Sequence, residues 1–274
     1  METPNLTIFD SHAHYNDPRF FGSELPCGRD ELLSDLFSEG NVRGIVNAGT
    51  NIETSRESLA LAERFDGIYA TVGIHPHDSE KAGDPANCIR EMLQLLSHKK
   101  AVAIGEIGLD FHYDFSDRLI QLKWFELQMK LARETGYPVV IHDREAHGAV
   151  FDIIQKYPEV HGVIHSYSGS AESAQQLCKL GYYISFSGSV TFKNASAILS
   201  AVAAVPSDRI LIETDCPYLA PVPNRGKINH SGNLIYTAQK IADIKGLSLR
   251  ELCRISMENA CSVFRIPTSS KTSF

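Results

Sequence analysis

"LTIFDSHAH", residues 6–14, joins a short apolar run to two histidines separated by one alanine. The run "LTIFD" (6–10) reads as a β-strand, and the polar groups stand at its carboxyl end. No glycine-rich turn follows it, so a dinucleotide-binding βαβ opening is disfavoured. Instead a rhythm of short apolar strands and amphipathic helical stretches begins. The later strands read as "VRGIVNA" (42–48), "GIYATVGI" (67–74), "AVAIGE" (101–106), "YPVVIH" (137–142), "HGVIHS" (161–166), "YYISFS" (182–187) and "RILIET" (209–214). Helices are expected at 29–39, closed by Gly40, and at 51–65, capped by Asn51 or Thr54. More follow at 85–98, 116–135, 145–156, 171–179 and 195–204, with two last ones at 231–245 and 248–264. Eight strands alternating with helices predict an α/β protein: a closed TIM (β/α)8 barrel, rather than an open doubly wound sheet. It is expected to form a single domain over residues 1–266, with 267–274 ("PTSSKTSF") as a flexible tail.

Composition agrees with this and narrows the function. A chain of 274 residues with 43% hydrophobic content suits one barrel with a large core. A formal charge of −7 excludes a surface that attracts nucleic acid as a whole, so a phosphate-bearing substrate needs a local cation. Six cysteines without a Cys-x-x-Cys pair argue against a zinc ribbon or a dithiol redox motif. "METPNLT" carries no targeting pattern, so the expectation is a cytoplasmic protein with reduced thiols serving as core filler. The longest apolar runs are strand-sized, and nothing calls for a membrane or an obligate protein partner.

In a barrel of this kind, chemistry gathers at the carboxyl ends of the strands. Those ends carry His12 and His14, then His75, Glu106, His142, His165 and Asp215, with Asn47 and Ser187 at the second and seventh. Residues i and i+2 of an extended segment point the same way, so His12 and His14 can grip one ion. Asp10 and Ser11 then face away or brace the ring nitrogens. His12, His14, His142, His165, Glu106 and Asp215 together make a nitrogen and oxygen ligand set. It suits two divalent metal ions (Mg, Mn or Zn) sharing a carboxylate better than a single tetrahedral zinc. An isolated H-x-H pair is weak evidence, and a lone histidine is often a hydrogen-bonded core residue. A carboxylate such as Glu106 inside an apolar strand is costly unless partnered, and Asp215 repeats the anomaly. His75 is expected in the cavity and His77 at its rim. His98, His112, His147, His161 and His230 read as surface, helix or loop residues. Arg144 either holds an anion or pairs with Asp143 or Glu145. Lys193 and Arg225 either reach a phosphate or stay solvated.

Six segments in order, "DSHAH", "GIHPH", "AIGEIGLDF", "PVVIHDR", "HSYSG" and "LIETDCPYL", resemble the TatD family of metal-dependent deoxyribonucleases within the amidohydrolase superfamily. The likeness spans about residues 6–266. It implies a metallo-dependent hydrolase barrel in which His12, His14, Glu106 and Asp215 hold one divalent ion. Glu106, His142 and His165 would hold the other, with Glu106 bridging. It further implies cleavage of DNA, as a 3′ exonuclease or an endonuclease. The same resemblance has His75 facing the substrate cavity. From the residues themselves, Asp215, Glu106 and His75 are expected to be catalytic, Asp215 steering or accepting the proton of the attacking water, with Arg144, Lys193 and Arg225 binding the substrate. Two stretches depart from the family. After the eighth strand an Arg-Asn-Glu-Pro-like run is replaced by "NRGKINHSG" (224–232), which keeps Asn229 but continues with His230 and Ser231. "HSYSG" stands where His-Cys-Phe is frequent and leaves the ligand intact. An alternative is amidohydrolase-type cleavage of an amide, ester or lactone at the same binuclear site. Many binuclear members carry a modified lysine where Glu106 stands, which weighs against it.

Overall fold

The computed structural model describes residues 6–23, 25, 27–38 and 41–267. Strands β1 (Ile8–Ala13), β2 (Val42–Asn47), β3 (Ile68–Val72), β4 (Ala101–Asp110), β5 (Val139–Arg144), β6 (Gly162–Ile164), β7 (Tyr183–Phe186) and β8 (Ile210–Ile212) pair in parallel, in sequence order. The ring closes where His14 N donates to Cys216 O at 2.8 Å and Asp215 N donates to His12 O at 3.0 Å. Ala13 and Cys216 form a parallel bridge at this seam. Helices α1 (Gly28–Ser38), α2 (Ile52–Arg64), α3 (Pro85–Leu96), α4 (Arg118–Thr135), α5 (His147–Lys156), α6 (Ala171–Lys179) and α7 (Ser196–Ala204) fill the crossovers. After β8 come α8 (Leu234–Lys245) and α9 (Leu249–Val263). The predicted (β/α)8 barrel is therefore present. The expected closure at Gly40, and the tail beyond Pro267, lie outside the described residues.

Local chemistry accounts for the boundaries. Asn51 caps α2 in a reciprocal box: its Oδ1 accepts from Thr54 N, and Thr54 Oγ1 accepts from Asn51 N, each at 3.0 Å. Both residues expected as caps thus act together. α4 ends at Gly136, whose φ of 73° suits the left-handed stop. α8 starts later than predicted, because Ser231–Asn233 form a 3-10 turn. Its Ser231 Oγ donates to Asp10, and its Asn233 side chain donates to Asn229. β4 runs four residues past Glu106, since the buried Ile107 and Leu109 continue the apolar pattern and pair with Ile141 and Asp143.

Alternation then positions the site. Phe9, Val46, Val102, Val140, Val163 and Leu211, from six different strands, pack into one apolar layer. Val263, Phe264 and Ile266, at and beyond the end of α9, join the same layer. Two residues further along β5, and just past β6 and β8, the same faces carry His142, His165 and Glu213. The barrel is thus greasy towards one end and ionisable at the other.

Gly108 lies in β4 between Glu106 and Asp110, with φ of 134°. A Cβ there would sit 2.0 Å from the carbonyl oxygen of His142. Both backbone conformation and space require glycine. Gly108→Ala is expected to destabilise the fold by about 3 kcal/mol or more. Urea denaturation measures this, and an unchanged midpoint would contradict it.

Candidate metal centre

Glu106 stands at the centre of the mouth, only 2% exposed, and its two oxygens face different histidines. Oε2 lies 3.3 Å from His12 Nε2 and 3.5 Å from His14 Nε2. Oε1 lies 2.8 Å from His165 Nε2, 2.9 Å from His142 Nδ1 and 3.2 Å from His75 Nε2. Asp215 joins the first group, its Oδ1 3.4 Å from His14 and 3.8 Å from His12. Its backbone takes a left-handed turn, φ 54°, and its bond to His12 O ties it to β1. Aspartate tolerates that conformation better than most residues.

Within each half, imidazole nitrogens face one another. His12 Nε2 and His14 Nε2 are 3.0 Å apart, and so close are His142 Nδ1 and His165 Nε2, at 3.1 Å. Lone pairs brought this near repel unless a proton or a cation lies between them. The combinations His12–His14–Glu106, His12–His165–Asp215 and His75–Glu106–His142 each offer ligand atoms close enough to share one ion. Nitrogen and carboxylate donors of this kind suit zinc, manganese or magnesium.

The electrostatics follow from burial and crowding. Burial pushes the Glu106 carboxyl up, but the imidazoles of His165, His75 and His12 overcome it and hold the carboxyl well below its usual range. Burial pushes His12 down, and holds His75 near 4. The neutral ring of His12 beside an ionised carboxylate is a ready ligand, whereas His75, whose Nδ1 accepts from His77 N at 3.1 Å, carries its proton on Nε2 and donates to Glu106. Asp215 also stays low: burial raises it, and the bond to His14 with the nearby imidazoles lowers it further.

All six residues predicted as ligands come together, and His75, 6% exposed, lies with them, its Nε2 3.2 Å from Glu106. His77 lies at the rim as expected, yet it is not isolated. Its Nε2 is 2.6 Å from Asp110 Oδ2, and His142 Nε2 approaches the same oxygen at 3.3 Å. His98, His112 and His147 pair with Glu63, Glu145 and Asp143. Arg144, Lys193 and Arg225 are all exposed. Among the described residues, none of the three forms a hydrogen bond or ion pair with the cluster. Arg225 instead stacks 3.8 Å over the Phe192 ring, beside Lys193. Among the cysteines, Cys88, Cys216 and Cys253 are buried as filler, but Cys27 is exposed.

Of the two arrangements expected for Asp10, it takes the one that faces away from the ring nitrogens. It accepts from the backbone N–H of His12 at 3.3 Å, from Thr214 N and Oγ1 at 2.9 and 2.6 Å, and from Ser231 Oγ at 2.7 Å. It fixes the strand under His12, not the ring. The departing loop serves the same network: Asn229 donates to Thr214 O at 3.0 Å, and Tyr15 and Ser231 hydroxyls meet at 2.8 Å. Two buried carboxylates escaped the sequence reading. Asp110 lies beyond the predicted end of its strand. Glu213, fully buried, lies 3.3 Å from His165 Nδ1 and accepts from Ser166 N at 2.7 Å. Its position two residues after Leu211 was the available signal.

A parallel barrel with histidines and carboxylates clustered at its carboxyl end defines the class of metal-dependent hydrolases. The chain belongs to the TatD family: the family model described as TatD related DNase matches residues 9–265. It is 39% identical to YabD of Bacillus subtilis, over 94% of this chain and 99% of that protein, described as an uncharacterized metal-dependent hydrolase. YcfH of Escherichia coli K12, described in the same words, is 32% identical over 96% of this chain and 98% of its own length. The crystal structure of YjjV, a TatD homolog from Escherichia coli K12, matches with a TM-score of 0.85 at 28% identity. That likeness covers 96% of this chain and 100% of the other. The protein is thus a metal-dependent hydrolase. Among the described residues, no helix is long and apolar enough to cross a membrane.

Proposed function

We propose that this hydrolase cleaves phosphodiester bonds of DNA, with two divalent cations held on either side of Glu106. The observation that carries the reading is the division of the Glu106 carboxylate, one oxygen towards His12 and His14 and the other towards His142 and His165. A carboxylate so placed can bridge two ions. His12, His14 and Asp215 would complete one coordination set, and His142 and His165 the other. When bound, the ions lower the pKa of water and offset charge on phosphate oxygens.

The chain's own groups do the rest. Asp215 is ionised and can accept a hydrogen bond from the attacking water, orienting it towards phosphorus. His75 Nδ1 accepts from His77 N at 3.1 Å, so the neutral ring carries its proton on Nε2 and offers a hydrogen bond to Glu106 or to the phosphate. Arg144, Lys193 and Arg225 are the cations proposed to bind the substrate strand. Positive charge held inside the cavity also reconciles an acidic protein with a polyanionic substrate.

Asp110 is proposed to set the tautomer of His142. An ionised carboxylate only accepts, so the Nε2–H of His142 points to it and the Nδ1 lone pair is left for the centre. Burial raises the Asp110 carboxyl, but His142 and His77 hold it ionised. Asp110→Asn keeps Oδ1 for the loop N–H groups of His112 and Tyr113, and turns an NH2 towards the rings. Metal affinity is expected to fall about 10–100-fold. Isothermal titration with Mn²⁺ reads this, and wild-type affinity would contradict the role.

The reading is tested with end-labelled single-stranded DNA and a series of divalent ions. Cleavage with added ion, and its loss with chelator, is expected. Full activity in metal-free protein would refute it, and turnover of an amide or lactone panel without DNA cleavage would redirect the assignment.

A further inference from the structure

Two sets of exposed aromatic rings flank the cluster, and the chemistry above uses neither. The loop between β4 and α4 carries Tyr113 and Phe115, 54% and 63% exposed. Their rings stack on each other, centroids 5.4 Å apart and planes 14° from parallel. Phe115 meets the His77 ring edge-on at 4.8 Å, and His77 reaches His142 through Asp110. Across the mouth, in the loop after β8, Tyr218 is 46% exposed, with its ring 6.3 Å from that of His14. β8 adjoins β1 at the seam, whereas β4 lies half-way round the ring, so the two sets stand on opposite walls.

Both walls are held in place. Asp110 Oδ1 accepts from His112 N and Tyr113 N, at 3.0 and 2.9 Å, which pins the first loop. The Tyr218 hydroxyl donates to Asp17 Oδ2 at 3.0 Å, and Asp17 also holds Arg19, whose guanidinium stacks 3.9 Å from the Tyr218 centroid. The polar tip of Tyr218, one face of its ring and the charge of Arg19 are therefore engaged, and the rest of the ring, 46% exposed, stays open to solvent. Large rings kept ordered in water beside a catalytic centre mark a binding surface. Planarity on both walls selects planar ligands, and the centre between them takes a phosphate.

We infer that the two walls are stacking subsites for nucleobases, one on each side of the scissile phosphate. This rests on the phosphodiesterase reading and adds the recognition of the strand. Paired bases in a duplex hide their faces, so the occupant is an unpaired strand. Stacking also tolerates any base, because every base has a π-face.

The experiment compares kcat/KM for oligo(dT) with that for an oligomer of the same length whose sugars are tetrahydrofuran residues without bases. Wild-type protein, metal-loaded, is expected to favour oligo(dT) by about a hundredfold, roughly tenfold for each wall. Phe115→Ala and Tyr218→Ala should each shrink that ratio by about tenfold, mainly through KM, and Phe115→Trp should restore it. Leu93→Ala, an exposed change on the outer helix α3, should leave the ratio as it is. An unchanged ratio in both aromatic variants overturns the subsites while the phosphodiesterase reading stands. If wild-type protein cleaves neither oligomer, both fall together.

Discussion

Glu106→Ala is expected to abolish ion binding at the centre and to lower kcat/KM on DNA by on the order of 10⁴-fold or more. Glu106 faces both halves of the cluster, with five histidines within 3.5 Å. Its removal leaves each half with imidazoles and no shared anion. His142 and His165, which Glu106 helps to hold up against the downward push of burial, then lose that partner and release a proton more readily, so the fold itself has a way to tolerate the change. Loss of ions with an intact thermal transition separates the role from unfolding. A variant that retains wild-type metal content and rate would remove Glu106 from the chemistry.

Asp215→Asn should lower kcat by about 10²–10⁴-fold, with a smaller loss of metal affinity. Asp215 contributes one oxygen to the half that His12 and His14 also supply, so other ligands remain. What asparagine cannot supply is a second acceptor with negative charge. His14 and the neighbouring imidazoles keep the carboxyl ionised, which suits it to orient a water rather than to hold a proton at rest. Single-turnover cleavage at saturating Mn²⁺ isolates the chemical step. A kcat within twofold of wild type would assign Asp215 to ion binding alone.

The barrel was legible because each of its eight strands is a short apolar run with a helical stretch beside it, a local property. The clustering of the six candidate ligands is legible because strand ends share one mouth in this architecture, so residues far apart in sequence can be assigned to one place. Asp110 is illegible from a strand that stops at Glu106; only the alternation through Ile107 and Leu109 carries β4 on to it. Glu213 is masked by Asp215 two residues on, which has the same ligand chemistry, although β-periodicity places Glu213 on the face of Leu211. The cations proposed to bind substrate are the least legible. Arg144, Lys193 and Arg225 lie on exposed stretches whose long side chains are not oriented by any period, and Arg225 rests on Phe192. The aromatic walls had no pattern either, since a loop ring reads alike whether it is filler or platform.

The central claim is that two cations flank one carboxylate. Anomalous diffraction from crystals grown with Mn²⁺ measures this directly. Two peaks are predicted, one between Glu106 Oε2, His12, His14 and Asp215, the other beside Glu106 Oε1, His142 and His165. A single peak, or peaks that Glu106 does not touch, would contradict the account.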